Sequence, residues 1–590
     1  MIDFLIRKGK DFLSYPKSLS PEQSDFNPLQ TVVGEACLFM PDQTRYQRVD
    51  AHDRTIFIIG DIVGSPSVDE IIDKDPESIF KGFPGLYYLL ILTLREVDVY
   101  SSLFGILPVY YAKAGEEILV SSRAGYIKAC LNDRVSLNKQ WILERILFNH
   151  SLDGETPWRE IRQLPAHHAL KIRNNKESWE KYLAIEDCFA DRPKPWRKSL
   201  GPMSELFSER CRHYFTCDVN RISFTGGFDG RTLLACALGQ KVPVHAYSFG
   251  ASSNPDITIP KRISAKLGIP YSPIHLDQPD YMHAWLPMGK EMMDRCDGNT
   301  SLLHVHYLYS AMKLQGRECL VTGMFGSELL RALHVSGQVT ARPLVDFFMH
   351  DEPEEWQRLI MDSPRLQFLN VDYSREELAV VWEKLLAVKK EQRGLGLSRN
   401  QGFYKFIFDE TFRKVFGNFI LPQLQYAPVR APYLDFVFIK ELLQTGLAGV
   451  NNDFFTHNPV KRAKGQMLYA RIIQQNHAPL LRELNDKGYR PRALLSPVGK
   501  FSISWGWAKK RLKRRFLPED YDNLAILSAM HRHMILFKGL KIPEYFDSER
   551  IHRLLESTAW RDNILQRDNL VRCLSLAWFL NDFKIRKSAQ

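Results

Sequence analysis

The chain lacks any apolar run long enough to cross a bilayer. Its greasiest stretch, Leu86-Tyr-Tyr-Leu-Leu-Ile-Leu-Thr-Leu94, is about half the roughly 20 residues that a span requires and suits a buried strand. The opening residues, Met1-Ile-Asp-Phe-Leu-Ile-Arg-Lys-Gly-Lys-Asp11, lack the apolar core and small-residue cleavage site of a secretory leader. Cys-x-x-Cys pairs are absent as well. Nine cysteines lie scattered, an odd number, which argues against a disulfide framework or a zinc knuckle. These absences together predict a reducing, cytoplasmic setting. There are no internal repeats, no low-complexity linker and no RNA- or DNA-binding motif, so no nucleic-acid partner is expected.

What is present is the composition of a globular protein. At 590 residues, 45% hydrophobic and 25% charged, the chain holds more than one domain and buries sizeable cores. The net charge of +11 is moderate for this length. It is concentrated once, in Lys509-Lys-Arg-Leu-Lys-Arg-Arg515 just after Trp505 and Trp507. That stretch reads first as the solvated face of a connecting helix, with peripheral membrane contact through 509–515 as the alternative.

Residues 223–231 read Ser-Phe-Thr-Gly-Gly-Phe-Asp-Gly-Arg. An apolar strand, Arg221–Phe224, breaks into two glycines and reaches an aspartate, after which Arg231–Leu238 has helical composition. Such a turn aims several N–H groups at one spot, where the dipole of the following helix also favours an anion. The spacing is neither GxGxxG nor GxxxxGK[ST]. An ordinary strand–turn–helix connection is the alternative.

Around this turn the chain changes character. Thr55–Gly60, Leu86–Leu94, Val97–Ser101, Val109–Tyr111 and Ile118–Ser122 are short strand-like runs. From 201 to about 335 strands alternate with helices: Val242–Phe249 and Glu318–Thr322 as strands, Pro255–Gly268 and Leu302–Leu314 as helices, which argues for a parallel sheet. The periodicity beyond predicts helices over Glu376–Glu391, Tyr404–Phe419 and Lys464–Leu484, and a helical tail ending Leu570–Asn581.

The Gly-Gly-Phe-Asp turn resembles the SGGxDS pyrophosphate loop of N-type ATP pyrophosphatases, in the version used by asparagine synthetases. Gly85 and Tyr100–Tyr111 are similar to the GxF and DxxGxxPLYY signatures of class II glutamine amidotransferase domains. Leu152–Pro165 is similar to the segment preceding the synthetase domain, Pro255–Gly268 to a helix of that family, and Arg430-Ala-Pro-Tyr-Leu-Asp435 to its R-x-P-F-L-D. The resemblance covers about residues 55 to 475. It implies an α+β, β-rich sandwich of the amidotransferase (Ntn) type over 1–200. An α/β parallel-sheet ATP-pyrophosphatase domain, adenine nucleotide α-hydrolase-like, would follow over 201–480, and a helical extension over 481–590.

The same resemblance implies a carbon–nitrogen ligase that binds ATP with Mg2+, adenylates a carboxylate and lets an amine or ammonia displace AMP, leaving an amide and pyrophosphate. Ser223, Thr225, Gly226, Gly227, Asp229, Gly230, Arg231, Phe249 and Gly323 fall on its nucleotide and pyrophosphate positions. Asp229 would be a magnesium ligand, or else the N-cap of the following helix. Gly230 stands where the family has serine, and Arg231 would either fork onto a phosphate or sit solvated. In the second turn, Thr322-Gly-Met-Phe-Gly-Ser-Glu328 departs from S-G-x-G-x-D-E, since Met324 is no base and Ser327 a poor metal ligand. Glu328 is therefore the substitute for the second metal contact, or a first-turn residue answering the helix dipole. Lys464 matches a family lysine that steadies phosphate charge, although Lys461 competes for the alignment. His304 and His306 read as packed or surface residues.

The amidotransferase half departs more sharply. Those enzymes use an N-terminal cysteine, whereas residue 2 is Ile2 and the first cysteine is Cys37. Ser102 replaces the glutamine-binding aspartate. Glutamine hydrolysis is therefore not expected. Substrates of the predicted ligase would be a small-molecule, peptide or sugar carboxylate and an amine or ammonia, in natural-product, lasso-cyclase-like or surface-polysaccharide synthesis; a homodimer is one assembly open to it, and the sequence does not fix the oligomeric state. Asparagine synthesis and a non-catalytic nucleotide-binding scaffold are the alternatives.

Overall fold

The computed structural model describes residues 2–9, 28–64, 66–131, 134–314, 316, 318–330, 339–370, 375–452, 464–515, 537, 540–557 and 563–588. Lys461 and the segments following Leu330 and preceding Lys464 lie outside them. The N-terminal part is built from β1 (Leu5–Lys8), β2 (Pro28–Val33), β3 (Ala36–Pro41), β4 (Tyr46–Asp50), β5 (Thr55–Ile62), β6 (Gly85–Leu92), β7 (Glu96–Tyr100), β8 (Tyr110–Ala114), β9 (Glu117–Ser121), β10 (Arg162–Gln163), β11 (His168–Arg173) and β12 (Lys176–Lys181). They form two antiparallel sheets, ordered β10-β8-β9-β1-β3-β2 and β12-β11-β7-β6-β5-β4.

Side chains alternate across these strands, and each set finds its own core. On β5 and β6, Phe57, Ile59, Tyr88 and Leu90 enter the main core between the sheets. There Phe4, just ahead of β1, meets Tyr88 of the second sheet edge-on at 5.0 Å. Their neighbours Ile56, Ile58, Tyr87 and Leu89 face the other way, under the helices Val68–Ile72 and Pro76–Gly82, which supply Ile71, Ile79 and Phe80. The outer face of the first sheet is likewise covered by Ala124 and Ile127 of the helix Ala124–Cys130. Two sheets between two helical layers result, so the expected β-rich sandwich is present. Its edge strand β12, Lys-Glu-Ser-Trp-Glu-Lys, is exposed throughout, a charged edge that discourages further pairing.

The second sheet system is parallel. It comprises β13 (Asn220–Ser223), β14 (Val244–Gly250), β15 (Tyr271–His275), β16 (Cys319–Val321) and β17 (Val429–Arg430), in the order β15-β14-β13-β16-β17. The chain therefore winds outward one way from β13 and then returns to the other side. In sheets of this kind ligands bind beyond the carboxyl ends of the strands where that reversal occurs, here between β13 and β16. Helices α1 (Trp196–Tyr214), α2 (Asp229–Gly239) and α3 (Pro255–Leu267) accompany it. The Asn254 side chain caps α3, and Gly268 ends it in a left-handed turn at φ 65°, matching the glycine stop in the sequence.

Two helices differ from their sequence-based outlines. Over Tyr404–Phe419 the helix is not uniform: Arg399–Phe406 passes into a π-helical stretch, Ile407–Phe416, before Gly417–Gln423. The last, α4 (Lys464–His477), stops short of Leu484 and gives way to a 3-10 turn, Ala478–Arg482. The break falls at His477, whose φ of −153° and ψ of 78° lie outside the helical region. The C-terminal segments also do not stand apart. In the helix Ile564–Ser588, Phe579 packs against Trp141 and Trp158, and Ser575 Oγ accepts the Leu302 N–H at 3.1 Å. Arg430, at the end of β17, reaches Asp61 of β5 at 3.0 Å and so ties the two sheet systems together.

Candidate active site

Two threonine-glycine turns meet at the switch point. Thr225, just beyond β13, accepts the Gly227 N–H on its hydroxyl at 3.4 Å. Thr322, just beyond β16, accepts the Met324 N–H at 3.2 Å. The turns touch: a Cβ on Gly323 would lie 2.9 Å from Asp229 Cβ. Gly230 is required for the same reason. A Cβ there would stand 2.0 Å from the Ser223 carbonyl oxygen, so the serine of the resembled loop has no room, and α2 begins directly against the strand end.

Asp229 is the centre of this arrangement. It is not the N-cap, which is Phe228, but the first helical residue. Its Oδ2 accepts from Ser327 Oγ at 2.7 Å, its Oδ1 accepts from the Tyr469 hydroxyl, and its carbonyl accepts from the Tyr433 hydroxyl at 3.1 Å. Ser327, a poor metal ligand by itself, thus holds a good one. The Gly226 N–H already binds an anion, Asp256 Oδ1 at 3.0 Å.

Arg231 corrects both readings of the sequence. It is fully buried, neither solvated nor forked onto a ligand. Its guanidinium donates to the carbonyls of Glu483 at 2.8 Å, Leu484 at 2.9 Å and Gly226 at 3.4 Å, and burial pushes its pKa down to about 10. The physical reason is the fold beyond residue 480. The turn 483–489 closes over the loop, with the Asp486 N–H on the Gly226 carbonyl at 3.0 Å. Phe228 stacks on Tyr469 at 5.6 Å and lies 6.3 Å from Tyr489. Arg231 is the clamp that holds this cover.

The other predicted residues have the following neighbours. Ser223 ends β13 beside Tyr247 of β14. Phe249, near the end of β14, lies 4.6 Å from His306 and 5.6 Å from Tyr307. Glu328 is half-buried in the helix Gly326–Leu330. Burial first, and then the Glu328 carboxylate, push the Tyr307 and Tyr404 phenols up. Lys464 opens α4 and is brought alongside by Gly465, whose backbone abuts the Leu330 carbonyl. His304 and His306 are packed residues: His304 lies 4.4 Å from Phe419, and burial lowers the His306 pKa to about 4.

Sequence reasoning missed Asp256, Tyr433 and Tyr469 as site residues. Tyr433 stood in the quoted Arg430–Asp435 motif and Asp256 in the quoted α3 segment, but no spacing revealed that either reaches the loop. For ATP with magnesium the residues present fit. They supply the Gly226 and Gly227 N–H groups, the N-terminus of α2, and a carboxylate with the hard oxygens that suit magnesium. Among the described residues no group of three or more His, Cys, Asp or Glu is gathered for a metal.

The N-terminal sandwich holds no exposed thiol at Cys37. That residue lies fully buried in mid-β3, between Arg7 and Val32, and burial raises its pKa. Asp3 is buried and faces Arg295 at 3.5 Å. Ser102 is a turn-former, its hydroxyl accepting the Leu107 N–H at 2.8 Å.

No protein-family model and no curated protein matches this chain. Among solved structures it is similar to the glutamine phosphoribosylpyrophosphate amidotransferase from B. subtilis complexed with ADP and GMP. The identity is 10%, over 47% of this chain and 91% of that one, with a TM-score of 0.23. It is also similar to a protein described as the allosteric regulatory enzyme of purine biosynthesis, at 11% identity over 46% and 74%, with a TM-score of 0.20. Likenesses this remote assign neither residues nor activity to the chain.

Proposed function

We propose that the protein is an asparagine-synthetase-like, ATP-dependent amide ligase that activates a carboxylate as its adenylate and passes it to an amine or to ammonia. The observation that carries this reading is the pair of touching threonine-glycine turns at the switch point, with Asp229 between them. The Gly226 and Gly227 amides and the α2 N-terminus would receive the pyrophosphate end of the nucleotide, and Phe249 with Tyr307 would flank its base. Asp229 would hold magnesium, with Glu328 as a second contact, and Lys464 would steady charge on the α-phosphate. Magnesium supplies charge neutralisation of the leaving pyrophosphate. Ser327 and Tyr469 orient Asp229 by their hydroxyls. The buried Cys37 supports an amine nitrogen that does not come from glutamine hydrolysis.

Analysis of the nucleotide products tests this. Incubation with ATP, magnesium and a panel of amino-acid, peptide and uronic-acid carboxylates should release AMP and pyrophosphate, and glutamine should give no glutamate. ADP with inorganic phosphate would refute the reading, and amide formation from aspartate alone would make the protein an asparagine synthase. A second reading, a non-catalytic nucleotide-binding scaffold, has its own support. Both Asp229 oxygens and the Gly226 amide carry internal partners, and Met324 offers no base. It predicts ATP binding with no product.

A further inference from the structure

The basic stretch 509–515 lies apart from the two turns, and Lys509 is exposed, as expected of a solvated helix face. It closes the helix Gly499–Arg515. Just ahead of and along that helix, Val498, Phe501, Trp505 and Leu512 are 71%, 81%, 74% and 62% exposed. With Ala508, also exposed, they recur at intervals of three and four residues, one stripe about 80° wide on a helical surface. Lys509 is exposed beside them, and Lys510, Arg511, Lys513, Arg514 and Arg515 continue the run. The opposite side is the attached one: Gly506 is buried on the backbone of Gly488. Ile503 packs on the main core from the same side, so the helix turns its apolar stripe outward.

We propose that this helix lies in the plane of an anionic phospholipid surface, its stripe among the acyl chains and its basic end on the lipid phosphates. Charge and shape select this occupant. A second copy docked stripe to stripe would bring two basic ends together in a chain already at +11. A nucleic acid would offer bases to Phe501 and Trp505 but leave Val498 and Leu512 in water. A bilayer interface takes the aliphatic residues, the aromatic ones and the cations together. No described helix is long and apolar enough to cross a membrane, which accords with an in-plane helix. The turn carrying Gly488 also covers the phosphate loop through Asp486, so binding would set the crevice close to the lipid surface. The proposal is independent of the ligase reading.

Co-sedimentation of the full chain with vesicles tests it, using phosphatidylcholine alone or with roughly one-third phosphatidylglycerol. The protein should bind the anionic vesicles at least about ten-fold more tightly than the neutral ones. Combined Phe501→Ser, Trp505→Ser and Leu512→Ser should weaken that binding by about ten-fold or more, with an unchanged melting temperature because all three side chains are exposed. Lys509→Glu with Arg511→Glu should abolish the preference for anionic lipid. The proposal is overturned if the wild type ignores both vesicles, or if the triple-serine protein binds like wild type, which leaves only charge. It is equally overturned if a single-stranded oligonucleotide binds in preference to vesicles, or if the triple variant only converts a dimer to a monomer.

Discussion

Gly230 shows how far a single residue departs from the pattern it resembles. The strand end and the first turn of α2 approach so closely that no Cβ fits between them. Gly230→Ser should therefore cost about 1–3 kcal/mol, the usual penalty of overpacking, read as a lowered urea midpoint at unchanged slope. A pyrophosphate loop of ordinary geometry would instead accept the serine and gain a phosphate donor. Tyr469 gives the complementary case. Its hydroxyl donates to the Asp229 carboxylate, and a hydrogen bond to a charged group is worth about 1.5–3 kcal/mol. Tyr469→Phe should weaken magnesium-dependent nucleotide binding by mispointing Asp229, while the stacking of residue 469 on Phe228 persists. Isothermal titration with ATP and magnesium reads this directly, and unaltered affinity would mean that Asp229 needs no orienting partner.

Among the elements, the cover formed by 483–489 depends on one buried cation. Arg231→Ala would remove the donors to Glu483 and Leu484 and leave a large void, a combination worth about 3–5 kcal/mol. Hydrogen exchange should show the loss concentrated in 483–489 and at Gly226, whereas uniform loss across the parallel sheet would place the role of Arg231 elsewhere. The elements that were legible in the sequence share a physical trait. β5, β6, β7, β8 and β9 are β-branched or aromatic runs, and α3 has both its Asn cap and its glycine stop. Those that were not legible have no such signature. β12 is charged and exposed throughout because it is an edge. β10 and β17 are two-residue strands whose only definition is the partner they join. The π-helical Ile407–Phe416 arises where Phe412 and Phe416 pack on Phe325 of the second turn, at 4.9 and 4.6 Å, a constraint that no local periodicity records.

At the scale of the whole molecule, the two sheet systems are joined by buried charge. Asp297 reaches from the parallel-sheet half to the N–H groups of Ala124 and Gly125, at 3.2 and 3.1 Å, at the start of a sandwich helix. Burial raises its pKa from 3.8 to about 7, against the pull of Arg123 and those two N–H groups. The sign follows from proton counting. Between about pH 4 and pH 7 the folded protein keeps a proton that the unfolded chain has lost, so Asp297 lowers stability as pH rises through that window. Asp297→Asn removes the charge and keeps an acceptor for one of the two N–H groups, which the carboxylate takes on different oxygens. The wild-type melting temperature should fall relative to that of the variant between pH 5 and pH 8, and parallel curves would show that Asp297 stays ionised.

The candidate site divides along the same lines. The Gly-Gly-Phe-Asp turn and the second turn, which the fold brings into contact, were legible because each is a short local pattern. Asp256, Tyr433 and Tyr469 come from three other parts of the chain, joined only by the fold, and the burial of Arg231 depends on a segment some 250 residues away that no local pattern pointed to.

The central claim is that the switch-point turns bind ATP so that it splits between its α- and β-phosphates. Exchange of labelled pyrophosphate into ATP, in the presence of magnesium and a carboxylate panel, measures that step alone. Exchange in the wild type with at least one carboxylate, lost in Asp229→Asn while the fold melts at the same temperature, is the predicted result. Exchange that survives in Asp229→Asn, or its absence with every carboxylate in a wild type that binds ATP, would contradict the account.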